Sequence, residues 1–196
     1  MNDSFAEALN NLGYSKGLSL DEAKILQDKI GRRGWNGVFG NSLRLYPADA
    51  EDLAEGGVGN FIVSVKPFFR AEGVDLPDIE DNLTEDGYVI RVGNEINIIY
   101  DAAELKRETS KGEPGLIWGL SMARTFAILS KLLETAGSRE RIYAVNGGND
   151  LFAFFLTPEL YEVIMNHPDA CPADGPYSPT EKYPLFGQPC NTDIIG

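Results

Sequence analysis

A two-residue link, Gly93-Asn94, joins two alternating apolar runs and constrains the fold of this chain more than any other feature. The run before it covers residues 88–92 (Tyr-Val-Ile-Arg-Val), and the run after it covers residues 95–100 (Glu-Ile-Asn-Ile-Ile-Tyr). Such a link favours a primed turn, whose twist matches that of two antiparallel strands. The sequence therefore predicts a β-hairpin over these residues.

A second hairpin and a set of helices complete the predicted fold. Residues 141–145 and 150–156 form the second hairpin, joined by Asn-Gly-Gly-Asn. Helices are predicted from residue 5 to 12, from the Ser19/Glu22 capping box to Gly31, from Asp101 to about Arg107, from 116 to 136 and from Pro158 onward. Strands that arrive mainly as hairpins, with helices between them, predict an α+β fold with a mostly antiparallel sheet.

The longest helix, residues 116–136, is predicted to be the central helix on which the sheet packs. Its apolar side chains share one arc of a helical wheel: they are Trp118, Met122, Phe126, Leu129, Leu132, Leu133 and Ala136. Two further predictions concern shorter runs. Residues 61–65 (Phe-Ile-Val-Ser-Val) predict a buried strand that ends at Pro67, and the glycines recurring from Gly31 to Gly40 predict turns before a strand near residues 43–46.

The last thirty residues differ in character from the rest of the chain. Six of the 11 prolines fall between residues 168 and 189, which disfavours both helix and central strand. We therefore expect a single α+β domain over residues 1–166 and an extended Pro-rich tail over residues 167–196. The tail is expected to lie over the domain, anchored by Tyr177, Tyr183, Leu185 and Phe186.

Negative charge is concentrated in one segment. The chain carries 30 acidic and 17 basic residues, for a net charge of −13, and residues 49–86 alone carry 11 acidic and two basic ones. The densest part, residues 75–86, is predicted to be a solvated acidic loop. The candidate binding residues within it are Asp75, Asp78, Glu80, Asp81, Glu85 and Asp86.

The residues needed for common catalytic sites are sparse. His167 is the only histidine, no Gly-x-Ser-x-Gly motif or phosphate-binding glycine loop occurs, and the spacing of residues 75–86 does not fit a calcium loop. Cys171 and Cys190 are expected to be free thiols, with a disulfide as the alternative. We predict no catalytic residue, no metal ligand and no cofactor.

Three classes of function remain open. The first is a non-enzymatic protein-binding module, such as an immunity-type inhibitor, whose acidic surface binds a basic partner with help from aromatic side chains: Trp35, Phe68, Phe69 and Tyr88. The second is a carboxylate- or metal-dependent hydrolase with its site in residues 75–86. The third is a structural or assembly subunit, a homo-oligomer formed through the C-terminal tail.

Charge and hydropathy also favour some surroundings over others. The negative net charge disfavours nucleic acids and anionic membrane surfaces as partners. The N-terminal residues lack the basic and apolar regions of a secretory signal, and the apolar run 115–133 is interrupted by Arg124 and Lys131. We expect a cytoplasmic location.

Overall fold

The central sheet of the protein lies between two apolar layers. A computed structural model describes residues 2–188. In it, β1 (Leu45–Pro47), β6 (Phe152–Leu156) and β5 (Arg141–Val145) form an antiparallel sheet in the order β1-β6-β5. Because side chains alternate along each strand, Phe155 packs into one apolar layer and Phe154 into the other. The predicted second hairpin is confirmed.

Three helices cover one face of the central sheet: α1 (Asn2–Asn11), α2 (Leu20–Arg33) and α8 (Pro158–Met165). The predicted capping box is confirmed, because Glu22 N–H donates to Ser19 Oγ at 3.3 Å and Ser19 N–H donates to the Glu22 carboxylate at 2.9 Å. The helix α2 continues past its predicted end and stops only at Gly34, which adopts a positive φ of 56°.

The other face of the central sheet packs on the predicted central helix, α7 (Leu116–Thr135). Most of this helix is buried, although its length and composition would also suit a membrane span. Trp118 departs from the predicted buried arc, because its side chain remains 37% exposed. The short helix α6 (Ala102–Lys111) precedes α7 and begins at its predicted cap, Asp101.

A second, outer sheet contains β2 (Ile79–Thr84), β3 (Gly87–Val92) and β4 (Glu95–Tyr100), antiparallel in the order β2-β3-β4. The predicted Gly93-Asn94 hairpin is confirmed as β3 and β4. The prediction of a loop over residues 75–86 was wrong for its middle part, since residues 79–84 pair with β3 along their full length. Together with the helices, these two sheets establish the α+β fold.

The prediction of a buried strand at residues 61–65 was also wrong. The chain there forms two helices, α3 (Ala50–Asp52) and α4 (Val58–Ser64), joined by a kinked turn (Leu53–Gly57) in which Gly56 has a positive φ of 98°. The helix α5 (Lys66–Ala71) follows. The buried side chains recur at helical spacing, at Val58, Phe61, Ile62 and Val65, and Pro67 occupies the first turn of α5. A window of five residues is too short to show that the buried side chains recur along one face of a helix, and this is why the strand prediction was wrong.

The glycine-rich segment after α2 forms a 3-10 helix (Gly34–Gly40) instead of the predicted series of turns. A Cβ at Gly37 would lie 2.6 Å from the Ile30 Cα, so the close approach of this segment to α2 requires glycine. The strand that follows is β1, shifted from the predicted residues 43–46 to Leu45–Pro47.

Two aromatic residues in the described part of the C-terminal segment pack against the rest of the protein. Tyr177 forms reciprocal backbone hydrogen bonds with Ala144 of β5, both 2.9 Å long, and Phe186 is buried beside Gly119 of α7. Cys171 is half-buried. Residues 189–196, including Cys190, lie outside the described residues, so the free thiol expected at Cys190 stays a prediction.

Candidate binding surface

All six predicted binding residues are exposed, and they surround a single strand. They are Asp75 and Asp78 before β2, Glu80 and Asp81 within β2, and Glu85 and Asp86 in the two-residue turn between β2 and β3. Because β2 is the edge strand of the outer sheet, this placement puts six carboxylates along one margin of the protein.

The alternation of the strand separates the two carboxylates inside β2. Glu80 lies opposite Arg91 of β3 and forms an ion pair with it on the solvent-facing side of the sheet. Both side chains are at least half exposed, so this pair contributes at most about 1 kcal/mol to stability. Asp81 lies opposite the buried Ile90 and therefore points to the other face.

Asp81 joins the outer sheet to the start of α4. Its Oδ1 accepts a hydrogen bond from Gly59 N–H at 3.1 Å and another from the Tyr88 hydroxyl, while that hydroxyl accepts one from Val58 N–H at 3.1 Å. Burial, followed by the contact with Asp81, raises the pKa of Tyr88. A Cβ at Gly59 would lie 1.9 Å from the Asp81 carboxylate, so the contact needs glycine at that position.

The remaining four carboxylates have no such partners. Within residues 2–188, the side chains of Asp75, Asp78, Glu85 and Asp86 form no ion pair and no hydrogen bond. Their negative charge is therefore uncompensated within the part of the chain that the structure describes. Of the six predicted binding residues, Glu80 and Asp81 bind other residues of the protein. The other four side chains have no partner among residues 2–188 and are available to bind another molecule.

A second group of acidic residues, which the sequence analysis did not single out, lines a cavity of about 480 Å³ next to α3. Asp49, Asp52 and Glu55 border this cavity together with the polar side chains of Asn60 and Ser64. The sequence indicated these residues only through their position in the charged segment 49–86. Their arrangement around one cavity depends on how the segment folds.

The fold brings β2 against the wall of this cavity. The Leu83 side chain lies 3.4 Å from the point where a Cβ of Gly56 would stand, and Gly56 lines the cavity. The Tyr100 hydroxyl donates to the Ala54 carbonyl at 2.7 Å, and burial together with Glu55 raises the pKa of Tyr100. We call the combined region the acidic surface; its members are Asp49, Asp52, Glu55, Asp75, Asp78, Glu85 and Asp86.

The aromatic residues expected to help binding are not at this surface. Trp35, Phe68, Phe69 and Tyr88 are all buried in the apolar layers, so that expectation was wrong. The exposed apolar side chain at the acidic surface is Leu83, which is 45% exposed. The aromatic residues near the charged segment serve the core because each packs against several neighbours inside it.

Residues suited to holding a metal ion do not converge in the described part of the chain. Between residues 2 and 188, no three His, Cys, Asp or Glu side chains are placed to hold a metal ion. The His167 ring packs 4.4 Å from the ring of Phe5, and its Nδ1 accepts a hydrogen bond from Asp169 N–H at 3.1 Å. These contacts give His167 a structural role just after the end of α8.

Comparison of the chain with protein-family models, with curated proteins and with solved structures found no match. The fold and the surface therefore define the class directly, as an α+β protein with an acidic surface beside the edge strand of its outer sheet.

Proposed function

We propose that this protein is a non-enzymatic binding module whose acidic surface binds a basic protein partner, as an immunity-type inhibitor would. The observation that carries the proposal is the set of four exposed carboxylates, Asp75, Asp78, Glu85 and Asp86, that have no partner among residues 2–188. A charge that the chain leaves uncompensated on one margin attracts a partner of opposite charge and orients it during encounter.

The cavity beside β2 supports the same proposal. Its volume of about 480 Å³ is ample for a lysine or arginine side chain, and Asp49, Asp52 and Glu55 supply negative charge at its rim. Leu83 offers apolar area between the cavity and the free carboxylates. A buried apolar contact surrounded by polar groups is the usual organisation of a protein interface.

Within residues 2–188, no observation favours a hydrolase site in residues 75–86 or assembly through the C-terminal tail. A hydrolase needs carboxylates that converge, whereas Glu80 and Asp81 point to opposite faces of β2 and each has its own partner. An assembly role through the tail would use Tyr177, Tyr183 and Phe186. The rings of Tyr177 and Phe186 are buried against their own chain, and Tyr183 is half-buried there.

Charge reversal at the free carboxylates tests the proposal. In the test variant, Asp75→Lys, Asp78→Lys and Glu85→Lys are combined. The matched control combines Glu7→Lys, Glu162→Lys and Asp174→Lys, three exposed acids on or near α1 and α8, on the other side of the central sheet. Both variants change the net charge from −13 to −7, so overall charge is held equal.

Binding is measured by calorimetric titration with each basic protein encoded beside the gene for this chain, at low and at physiological salt. We expect a partner whose affinity falls steeply with salt, is lost in the test variant and is retained in the control. The proposal fails if none of these proteins binds, or if the two variants bind equally well.

A further inference from the structure

The hydrogen-bond pattern of the outer sheet identifies which backbone groups of β2 face away from β3. Gly93 N–H donates to the Asp78 carbonyl at 2.7 Å, and the β2–β3 register continues without a shift. Since hydrogen-bonded and non-hydrogen-bonded pairs alternate in an antiparallel ladder, Glu80, Asn82 and Thr84 bond to β3. The N–H and C=O groups of the residues between them, Ile79, Asp81 and Leu83, therefore point outward.

These outward groups have no hydrogen-bond partner within residues 2–188. The strand is also open to solvent, since all its residues from Glu80 onward are exposed. Two other edges are partly covered: Tyr177 bonds to Ala144 along β5 of the central sheet, and the Arg124 guanidinium donates to the Ile99 carbonyl on β4 at 3.0 Å. In the outer sheet β2 is the more exposed edge, because the last two residues of β4 are buried whereas every residue of β2 from Glu80 onward is exposed.

The charges on β2 decide which strand can use this edge. Proteins keep edge strands from pairing by means of bulges, short lengths or charge, and β2 has six residues in continuous register with carboxylates as its only charged groups. Pairing between two copies would place Asp78, Glu80 and Asp81 close to equivalent carboxylates, which is unfavourable. An incoming strand that carries lysine or arginine would instead find opposite charge.

We infer that β2 is a site of strand addition, at which the basic partner contributes an extended segment that becomes the fourth strand of the outer sheet. This inference rests on the proposed function. The segment pairs with the outward groups of Ile79, Asp81 and Leu83, so backbone hydrogen bonds provide affinity. Its alternate side chains provide specificity, with basic residues on the face that carries the free carboxylate of Asp78 and apolar residues beside Leu83.

A synthetic six-residue peptide, in which lysine alternates with valine and both ends are capped, is the probe. Amide hydrogen exchange of the full chain is followed by NMR at millimolar peptide. We expect the amides of Ile79, Asp81 and Leu83 to gain protection on binding, while those of Asn82 and Thr84 stay as they were. The same peptide with N-methyl groups on alternate residues keeps its charge but cannot pair, and it should give no protection.

A proline variant tests the edge on the protein side. Leu83→Pro removes one outward N–H without breaking a bond to β3. Ile96→Pro is the matched control on β4, the opposite edge of the sheet. Val92 pairs with Glu95 and Ile90 with Asn97, so the N–H of Ile96 also points away from β3. In Leu83→Pro, the loss of one backbone hydrogen bond and of close contact between the peptide and β2 should reduce peptide affinity about tenfold. Ile96→Pro should bind as the unmodified chain does.

The outcomes separate this inference from the proposed function. Strand addition is wrong if the unmodified chain binds no peptide, if the three amides gain no protection, or if the N-methylated peptide binds equally well. In each of those cases, a partner affinity that is lost on charge reversal at Asp75, Asp78 and Glu85 would still support the proposed function, with contact through side chains alone.

Discussion

Arg44, which precedes β1, and Glu140, which precedes β5, form a buried ion pair, and the Arg44 guanidinium also binds the loop after α1. Arg44 Nη1 lies 2.8 Å from Glu140 Oε2, and the two side chains are 2% and 5% exposed. The same guanidinium donates to the carbonyl of Tyr14 at 2.9 Å and to that of Phe155 at 3.0 Å. All these acceptors are distant in sequence, so the pair forms only when the whole fold is in place.

Removing the arginine should be strongly destabilising. Arg44→Met leaves the Glu140 carboxylate buried without its partner, and we expect the free energy of unfolding to fall by about 3–5 kcal/mol. Arg32→Met is the matched control, because its pair with Asp28 is exposed, and it should change stability by less than about 0.5 kcal/mol. Urea denaturation of each variant measures the difference.

Adding Glu140→Leu to Arg44→Met should restore part of the lost stability, since the second change removes the unpaired charge. Equal stability of Arg44→Met and the unmodified chain would contradict the structural role assigned to the pair.

Two neighbouring carboxylates should respond differently to alanine. Asp81→Ala leaves Gly59 N–H and the Tyr88 hydroxyl without their acceptor, and we expect a loss of about 1–3 kcal/mol. Asp78→Ala removes an exposed side chain that has no partner in the described chain and should change stability by less than about 0.5 kcal/mol. Thermal unfolding of both variants separates the two cases, and equal losses would argue against the contacts of Asp81.

Stability should decline as the solution becomes alkaline. Burial raises the pKa of several tyrosine hydroxyls above their ordinary value near 10: they are Tyr14, Tyr46, Tyr88, Tyr100, Tyr143 and Tyr177. Unfolded tyrosines lose their protons near pH 10 while the folded ones keep theirs, so the unfolded state binds fewer protons above that pH. The stabilisation is complete below pH 10 and is lost as the pH rises further.

Denaturation curves between pH 9 and pH 12 measure this decline, and Tyr88→Phe should make it shallower because one of the titrating groups is gone. Ultraviolet absorbance should show a further rise in phenolate as the protein unfolds, because these six hydroxyls lose their protons at that point. A Tyr88→Phe variant with the same slope as the unmodified chain would contradict the assignment.

A single methyl group at Gly119 should displace the C-terminal segment. A Cβ there would lie 2.2 Å from the Phe186 ring, so Gly119→Ala forces that ring out of its buried position. We expect a loss of about 1–3 kcal/mol and faster proteolysis near Phe186. In the Phe186→Ala background the clash is absent, so Gly119→Ala should then cost little; additive losses in the double variant would count against the contact.

Local sequence signals determined much of the fold. Both hairpins, the capped helix at Ser19, the central helix and its stop near Gly137 follow from turn residues, caps and apolar periodicity within ten or twenty residues. Such features were predictable because each depends on neighbours along the chain.

The errors fall where the deciding pattern is wider than a short sequence window, or where the deciding contacts are distant along the chain. Residues 61–65 are apolar enough for a strand, and their helical form follows from a wider pattern that includes Val58 and Val65. Residues 79–84 are polar and resemble a loop. Pairing with β3 makes them a strand, and pairing is a property of the folded chain.

The sequence by itself determined that negative charge collects in residues 49–86 and that six carboxylates in their second half are candidates for binding. Only the tertiary structure decided that Glu80 and Asp81 have partners, that four others are free, and that Asp49, Asp52 and Glu55 lie around a neighbouring cavity. The physical reason is that the charge of a segment is the sum over its residues and can be counted from the sequence. Which residues contact a charged side chain, and how exposed it is, depend on which segments pack together.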